Sequence, residues 1–155
     1  MAHAAIVAGL GLKLLVDRAR LPHGWARTQP FDPSTPLRGR YVRLGIEVPL
    51  TSADTNPGET VDREVRLAIR NNRLVADPTD SNGKIRIQFR RQDDRWTARL
   101  TEPIAFFIPE NVPDPSRRPA GEELWAEVTV PRVGPPRPIR LGVLRGGQVI
   151  PLPLR

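Results

Sequence analysis

Few side chains in this sequence are equipped for bond-making chemistry. Histidine occurs twice, at His3 and His23, and His3 falls within an apolar N-terminal stretch. A zinc site needs three or four clustered ligands, and a serine nucleophile needs a histidine held in place by an acid. One remaining histidine and no cysteine supply neither. The serines, Ser34, Ser52, Ser81 and Ser116, all lie in turn-rich segments. A serine–lysine pair would have to use Ser81 and Lys84, three positions apart across a turn, where a local cap is the simpler role. Asp93-Asp94 and Glu122-Glu123 are adjacent acid pairs. Neighbours along the chain do not flank a glycosidic bond as a catalytic carboxylate pair must. No glycine-rich phosphate loop is present: "AGLGLK" lacks the strand and spacing, and Gly146-Gly147 reads as a tight turn. The sequence therefore predicts no catalytic, cofactor-binding or metal-binding residues and a protein that is not an enzyme.

Charge is more informative. The chain of 155 residues carries 24 basic and 17 acidic side chains, a net charge of +7, and only Lys13 and Lys84 among the bases are lysine. Arginine grips carboxylates and phosphates through a planar fork, so an arginine-rich face suits an anionic partner. The acids can also neutralise much of this charge locally.

The elements that would position these residues read as strands. Proline at 18 and glycine at 12 imply many turns, and an aromatic content of 5% leaves valine, leucine, isoleucine and alanine to build one modest core. From Tyr41 to Val48, Val42, Leu44, Ile46 and Val48 share one face while Arg43 and Glu47 share the other. Val65, Leu67 and Ile69 alternate into Asn71-Asn72, residues that accept the positive φ of a two-residue hairpin turn. That turn sets Ile69 opposite Leu74 and Leu67 opposite Ala76.

A second hairpin, Lys84 to Leu100, is predicted to turn through Arg91 to Asp94, with Phe89 opposite Trp96 and Ile87 opposite Ala98. Its other face then gathers Lys84, Arg86, Arg90, Arg95 and Arg99, with Arg86 across from Arg99 and Arg90 across from Arg95. Like charges so placed destabilise a ladder by up to about 1 kcal/mol per pair, unless acids or a bound anion match them. This is the candidate anion-facing patch.

Pro103 to Glu110 reads as a continuous buried strand, and Leu124, Ala126, Val128 and Val130 as the inward face of the next. Pro151 and Pro153 assign the last strand to an edge. The expected fold is all-β: a single small antiparallel barrel or sandwich of eight or nine strands, preceded by an N-terminal helix. Three segments follow: residues 1–21 as the helix, 22–40 as a proline-rich connector, and 41–155 as the β-domain.

The helix is apolar from Ala4 to Val16 except at Lys13. Thirteen helical residues reach about 20 Å, short of the roughly 30 Å of a hydrocarbon core. A signal peptide would carry its charges before the apolar run and a small-residue cleavage site after it, and neither is present. A core-packing helix is the other alternative. The reading adopted is a membrane anchor, whose full length would require residues upstream of Met1 or inclusion of Lys13 with its amine reaching for the interface.

The connector carries a further pattern. Asp32-Pro33 precedes Leu37-Arg38-Gly39-Arg40-Tyr41, with Leu44 three positions on, and "FFIPE" (Phe106 to Glu110) and "GEELWAEVTV" follow in order. This resembles the GDYXXLXY-domain family, small bacterial proteins with an N-terminal membrane segment and one β-rich domain. The similarity runs from about Lys13 to the C-terminus. Arg40 stands where that motif has aspartate and Ile46 where it has its last tyrosine, so a cation-binding role at the aspartate does not transfer.

The resemblance implies an N-terminal membrane segment, one β-rich domain and a multi-pass membrane protein as partner. It implies no reaction. The domain is expected outside the cytoplasm, with the cytoplasmic side as the alternative, since Arg18 and Arg20 flank the downstream end of the apolar run. On their own chemistry Asp32, Pro33, Arg38, Gly39, Tyr41 and Leu44 form a stiff turn feeding a strand. Phe107, Ile108, Pro109 and Glu110 form the family-like block. The expected function is a membrane-anchored binding or accessory module. The alternatives are an arginine-faced barrel for a polyanion or nucleic acid, and a hydrolase with an unrecognised site. Nucleic acid is disfavoured by the scarcity of aromatic residues for base stacking.

Overall fold

The computed structural model describes residues 20–30, 41–51, 62–77, 85–92 and 95–154, with Gly11 and Val16, and for residues 30, 90–92, 95 and 96 the backbone alone. Ten strands form in chain order: β1 (His23–Pro30), β2 (Tyr41–Ile46), β3 (Asp62–Arg70), β4 (Arg73–Asp77), β5 (Ile85–Gln92), β6 (Arg95–Leu100), β7 (Ile104–Phe107), β8 (Leu124–Thr129), β9 (Arg137–Arg145) and β10 (Gln148–Pro151). They join one sheet in the order β10-β9-β8-β1-β4-β3-β5-β6, with β2 branching from β1 and carrying β7 on its far side. The all-β expectation holds, but among the described residues there are ten strands in place of eight or nine, and they form an open sheet in place of the expected antiparallel barrel or sandwich, with β1 and β4 paired in parallel. The expected N-terminal helix lies outside the described residues. Among those described, no helix is long and apolar enough to cross a membrane.

Local chemistry accounts for the hairpins. Asn71 and Asn72 adopt φ of 49° and 60°, and the register that follows pairs Ile69 with Leu74 and Leu67 with Ala76, as the turn and the alternation jointly predict. Gly146 and Gly147, at φ of 56° and 80°, close the β9–β10 hairpin the same way, and the proline-bearing β10 occupies an edge. The inward residues of β2 to β9 meet in one aliphatic cluster that includes Leu44, Ile46, Val65, Leu74, Ile87 and Leu141. Gathering these faces into one cluster requires the sheet to curl. The chain just past β2 helps to hold the curl, because the Val48 N–H donates to the Ala98 carbonyl of β6 at 2.9 Å and the Ala76 N–H of β4 donates to the Pro49 carbonyl at 2.9 Å.

Three sequence expectations are corrected. The segment from His23 to Pro30, assigned to the connector, is β1, a strand at the middle of the sheet that pairs with β8, β4 and β2. Its pattern hides this. The large apolar Trp25 lies on the face opposite the small inward residues Ala26 and Thr28, and the Thr28 hydroxyl is satisfied by the Leu124 carbonyl at 2.9 Å. Pro103 to Glu110 is not continuously buried: β7 spans four residues and alternates, with Ile104 buried and Phe107 58% exposed. The β5–β6 ladder slips by two residues from the expected register, setting Phe89 opposite Ala98 and Ile87 opposite Leu100. A slip of two keeps every side chain on its own face, so apolar patterning alone does not oppose it.

Candidate functional site

β1 contacts β4 at a single rung, Trp25 with Arg73, and then leaves it to pair with β2 from Thr28 onward. A cleft of approximately 480 Å³ opens where the strands part. Leu50, Leu74, Phe89 and Ala98 supply apolar walls, and Trp25 and Trp125 frame it. This volume falls in the range of small-molecule sites, which are largely apolar with a few polar groups.

Those polar groups sit on the outer face of β1, β4 and β8. The Arg73 guanidinium lies 4.1 Å from the centroid of the Trp125 ring, within cation–π range. The Trp125 indole N–H is the one buried side-chain donor among the described residues with no partner. Arg27 is 2.9 Å from the carboxylate of Glu123 and 3.5 Å from that of Glu47, and the Gln29 side-chain amide also donates to Glu47. Among the described residues Glu47 is the sole carboxylate lining the cleft, and it is already matched by those two neighbours. Among the described residues the lining holds no histidine, serine or second acid beside Glu47; Thr97 supplies its one hydroxyl.

One rung along the sheet, Glu127 is 5% exposed and is held by Arg140 Nε, with His23 Nε2 at 3.9 Å. Arg140 also lies 5.5 Å from the centroid of the Trp25 ring. A buried carboxylate is tolerated only when paired and hydrogen-bonded, and this arrangement meets that requirement. At the mouth of the β8–β9 hairpin, Glu122 accepts from Arg118 at 2.9 Å and meets Arg145 at 3.3 Å. The hydrogen bond from Arg118 is the main cause that holds the Glu122 carboxyl below its ordinary value, opposed in part by desolvation and reinforced by Arg145.

The residues singled out in the sequence divide between several places. Asp32, Pro33, Arg38, Gly39 and Lys84 lie outside the described residues. Tyr41 and Leu44 begin and continue β2, and the β2–β7 ladder sets Tyr41 opposite Phe107 and Leu44 opposite Ile104. The two family-like blocks therefore adjoin. Tyr41 and Phe107 meet edge to face at the surface, while Ile108 turns inward and is buried. Pro109 accepts the Val112 N–H in the turn that follows, and Glu110 is exposed.

The arginine patch is arranged differently from expectation. Arg86 faces Glu64 of β3, their charged groups 3.8 Å apart, and Arg99 is opposite Gln88. Arg90 is opposite Thr97 and Arg95 opposite Gln92, so the predicted arginine-on-arginine rungs do not form. The Arg99 side chain instead covers Gly45, where an added Cβ would fall 2.4 Å from its Nε. No group of three or more metal-ligating side chains occurs among the described residues. Ser116 is a turn residue, its hydroxyl donating to Asp114 at 2.7 Å.

The cleft was not legible in the sequence. Its walls come from six separate stretches of the chain, and the only local signal is the pair of tryptophans in strands otherwise poor in aromatics. Comparison with family models, curated proteins and solved structures finds no match for the chain.

Proposed function

We propose that this chain is a membrane-anchored β-rich binding module of the bacterial envelope, without catalysis. In this reading the cleft between β1 and β4 receives an amphipathic anion. The tether rests on the apolar run from Ala4 to Val16 and on the family resemblance. The observation that carries the binding reading is the cleft itself: apolar walls, two tryptophans and the Arg73 guanidinium at one rim. An apolar ligand body would replace water against Leu50, Leu74 and Phe89, gaining roughly 25 cal/mol per Å² of apolar area covered. Its acidic group would lie on Arg73, the cleft arginine for which the described residues provide an aromatic face and no carboxylate.

The polyanion reading finds less support. Arg27, Arg70, Arg86, Arg118, Arg140 and Arg145 each stand beside an acid. Each of these six is neutralised by its neighbour, which weakens their pull on a phosphate backbone.

The test is titration of the purified chain with anilinonaphthalene sulfonate, an apolar anion, read by energy transfer from tryptophan. The reading expects saturable binding that Arg73→Ala weakens by about fivefold to tenfold, as for loss of one charge-assisted contact. Binding untouched by both Arg73→Ala and Leu50→Ala would place the probe elsewhere and overturn the site. Membrane fractionation of the native protein tests the tether separately.

A further inference from the structure

The loop between β8 and β9 is placed where the anchor would leave the domain. The Val130 N–H donates to the Pro22 carbonyl at 2.9 Å, which fixes the start of the loop against the last residue before β1. Arg20, Leu21 and Pro22 then line one hollow together with Val130, Arg132 and Val133. The loop is braced at its far end by the buried Pro136, and Gly134 supplies the φ of 95° that turns the tip. At that tip Val133 is 80% exposed, the most exposed large apolar residue among those described. Arg20 and Arg132, which share that hollow with it, are exposed. On the other flank, a second hollow with Gly134 holds Glu64 and Glu102 against a single Arg86, so the more basic approach is from the Arg20 side.

We infer that the 131–136 loop is a second membrane contact, in which Val133 enters the acyl boundary of a bilayer while Arg20 and Arg132 meet anionic lipid phosphates. This rests on the membrane-anchor reading above. A single exposed valine needs no explanation by itself. Here it is presented by a proline-braced loop beside the chain's exit toward the apolar segment, with Arg20 and Arg132 next to it. An apolar tip with flanking cations is the pattern of an interfacial contact, each cation adding about 1 kcal/mol near an anionic surface. Two weak contacts on one rigid body also reinforce each other, because the first holds the second at high local concentration. The domain would then sit with β1 upright on the bilayer and the Tyr41–Phe107 end away from it.

The chain has no cysteine, so Val133→Cys creates a unique labelling position, with Asn111→Cys as an exposed control beyond the far end of β7. The full chain is reconstituted in phosphatidylcholine vesicles with and without phosphatidylglycerol, carrying an environment-sensitive nitrobenzoxadiazole label. At position 133 the emission is expected to rise several-fold and shift to the blue when phosphatidylglycerol is present, and to be quenched by spin-labelled lipid. The label at 111 should not respond. Adding Arg132→Glu should remove most of the dependence on phosphatidylglycerol. A chain that floats with the vesicles while its label at 133 stays as wet as that at 111 overturns the loop contact and leaves the anchor standing. A chain that does not float with either vesicle overturns both.

Discussion

Tyr41 stands directly across the β2–β7 ladder from Phe107, and the two rings meet edge to face with centroids 5.4 Å apart. Both are half exposed, so the pair contributes through ring geometry more than through burial. A double-mutant cycle with Tyr41→Ala and Phe107→Ala, followed by urea unfolding, should give a coupling energy of about 0.5–1 kcal/mol. A coupling near zero would mean that the rings meet without holding β7 in place.

Two buried glycines should respond unequally to alanine. At Gly142 a Cβ would fall 2.8 Å from the Trp25 ring and 2.9 Å from the backbone oxygen of Ile150, which cannot swing aside. Gly142→Ala is therefore expected to destabilise by about 1–3 kcal/mol and to shift tryptophan emission. At Gly45 the obstruction is the Arg99 side chain, which can rotate away. Gly45→Ala should cost less, about 1 kcal/mol or below, in thermal unfolding.

The buried Glu127 carboxylate makes Arg140 structurally demanding. Removing the guanidinium in Arg140→Ala leaves a charge under the sheet surface with His23 as its remaining neighbour. The expected loss is about 2 kcal/mol, below the usual figure for a broken buried pair because Arg140 is itself half exposed. Adding Glu127→Gln to that variant should restore part of the loss. If the double variant is no more stable than Arg140→Ala, the carboxylate was not the source of the penalty.

Acid should weaken the β8–β9 entrance. The folded Glu122 carboxyl is held below its unfolded value, chiefly by the hydrogen bond from Arg118. Its stabilisation is thus fully present above the unfolded carboxylate pKa and is lost as pH falls through the folded one. Unfolding free energies from neutral pH down through the carboxylate range should fall less steeply for Glu122→Gln than for the unaltered chain. Identical slopes would show that the pair carries no linkage.

How far the fold could be read from the chain depended on whether two local signals agreed. Asn71-Asn72 and the flanking alternation specify the same register, and β3–β4 forms in it. In β5–β6 the alternation permits any even slip, and the turn chemistry of Arg91 to Asp94 had to choose alone. The observed ladder runs on to Gln92 and Arg95. β1 carried no apolar alternation because its inward residues are Ala26 and Thr28, stabilised by contacts made far away in sequence. The family-like blocks could be seen as patterns, but not that a ladder would join Tyr41 to Phe107. The cleft depends on where β1 leaves β4, a property of tertiary pairing that no window of sequence contains.

That pairing also governs the order of events on the ribosome. Thr28 of β1 finds its acceptor on Leu124, 96 residues later. At ordinary elongation rates the centre of the sheet waits roughly 5–20 seconds for its neighbour to be made. Until then Trp25 has no β8 beside it, and the nascent chain must stay soluble with its middle seam unzipped. Closing that seam late, with only β9 and β10 still to add, makes assembly slow for a domain of this size and lengthens the interval in which mispairing competes.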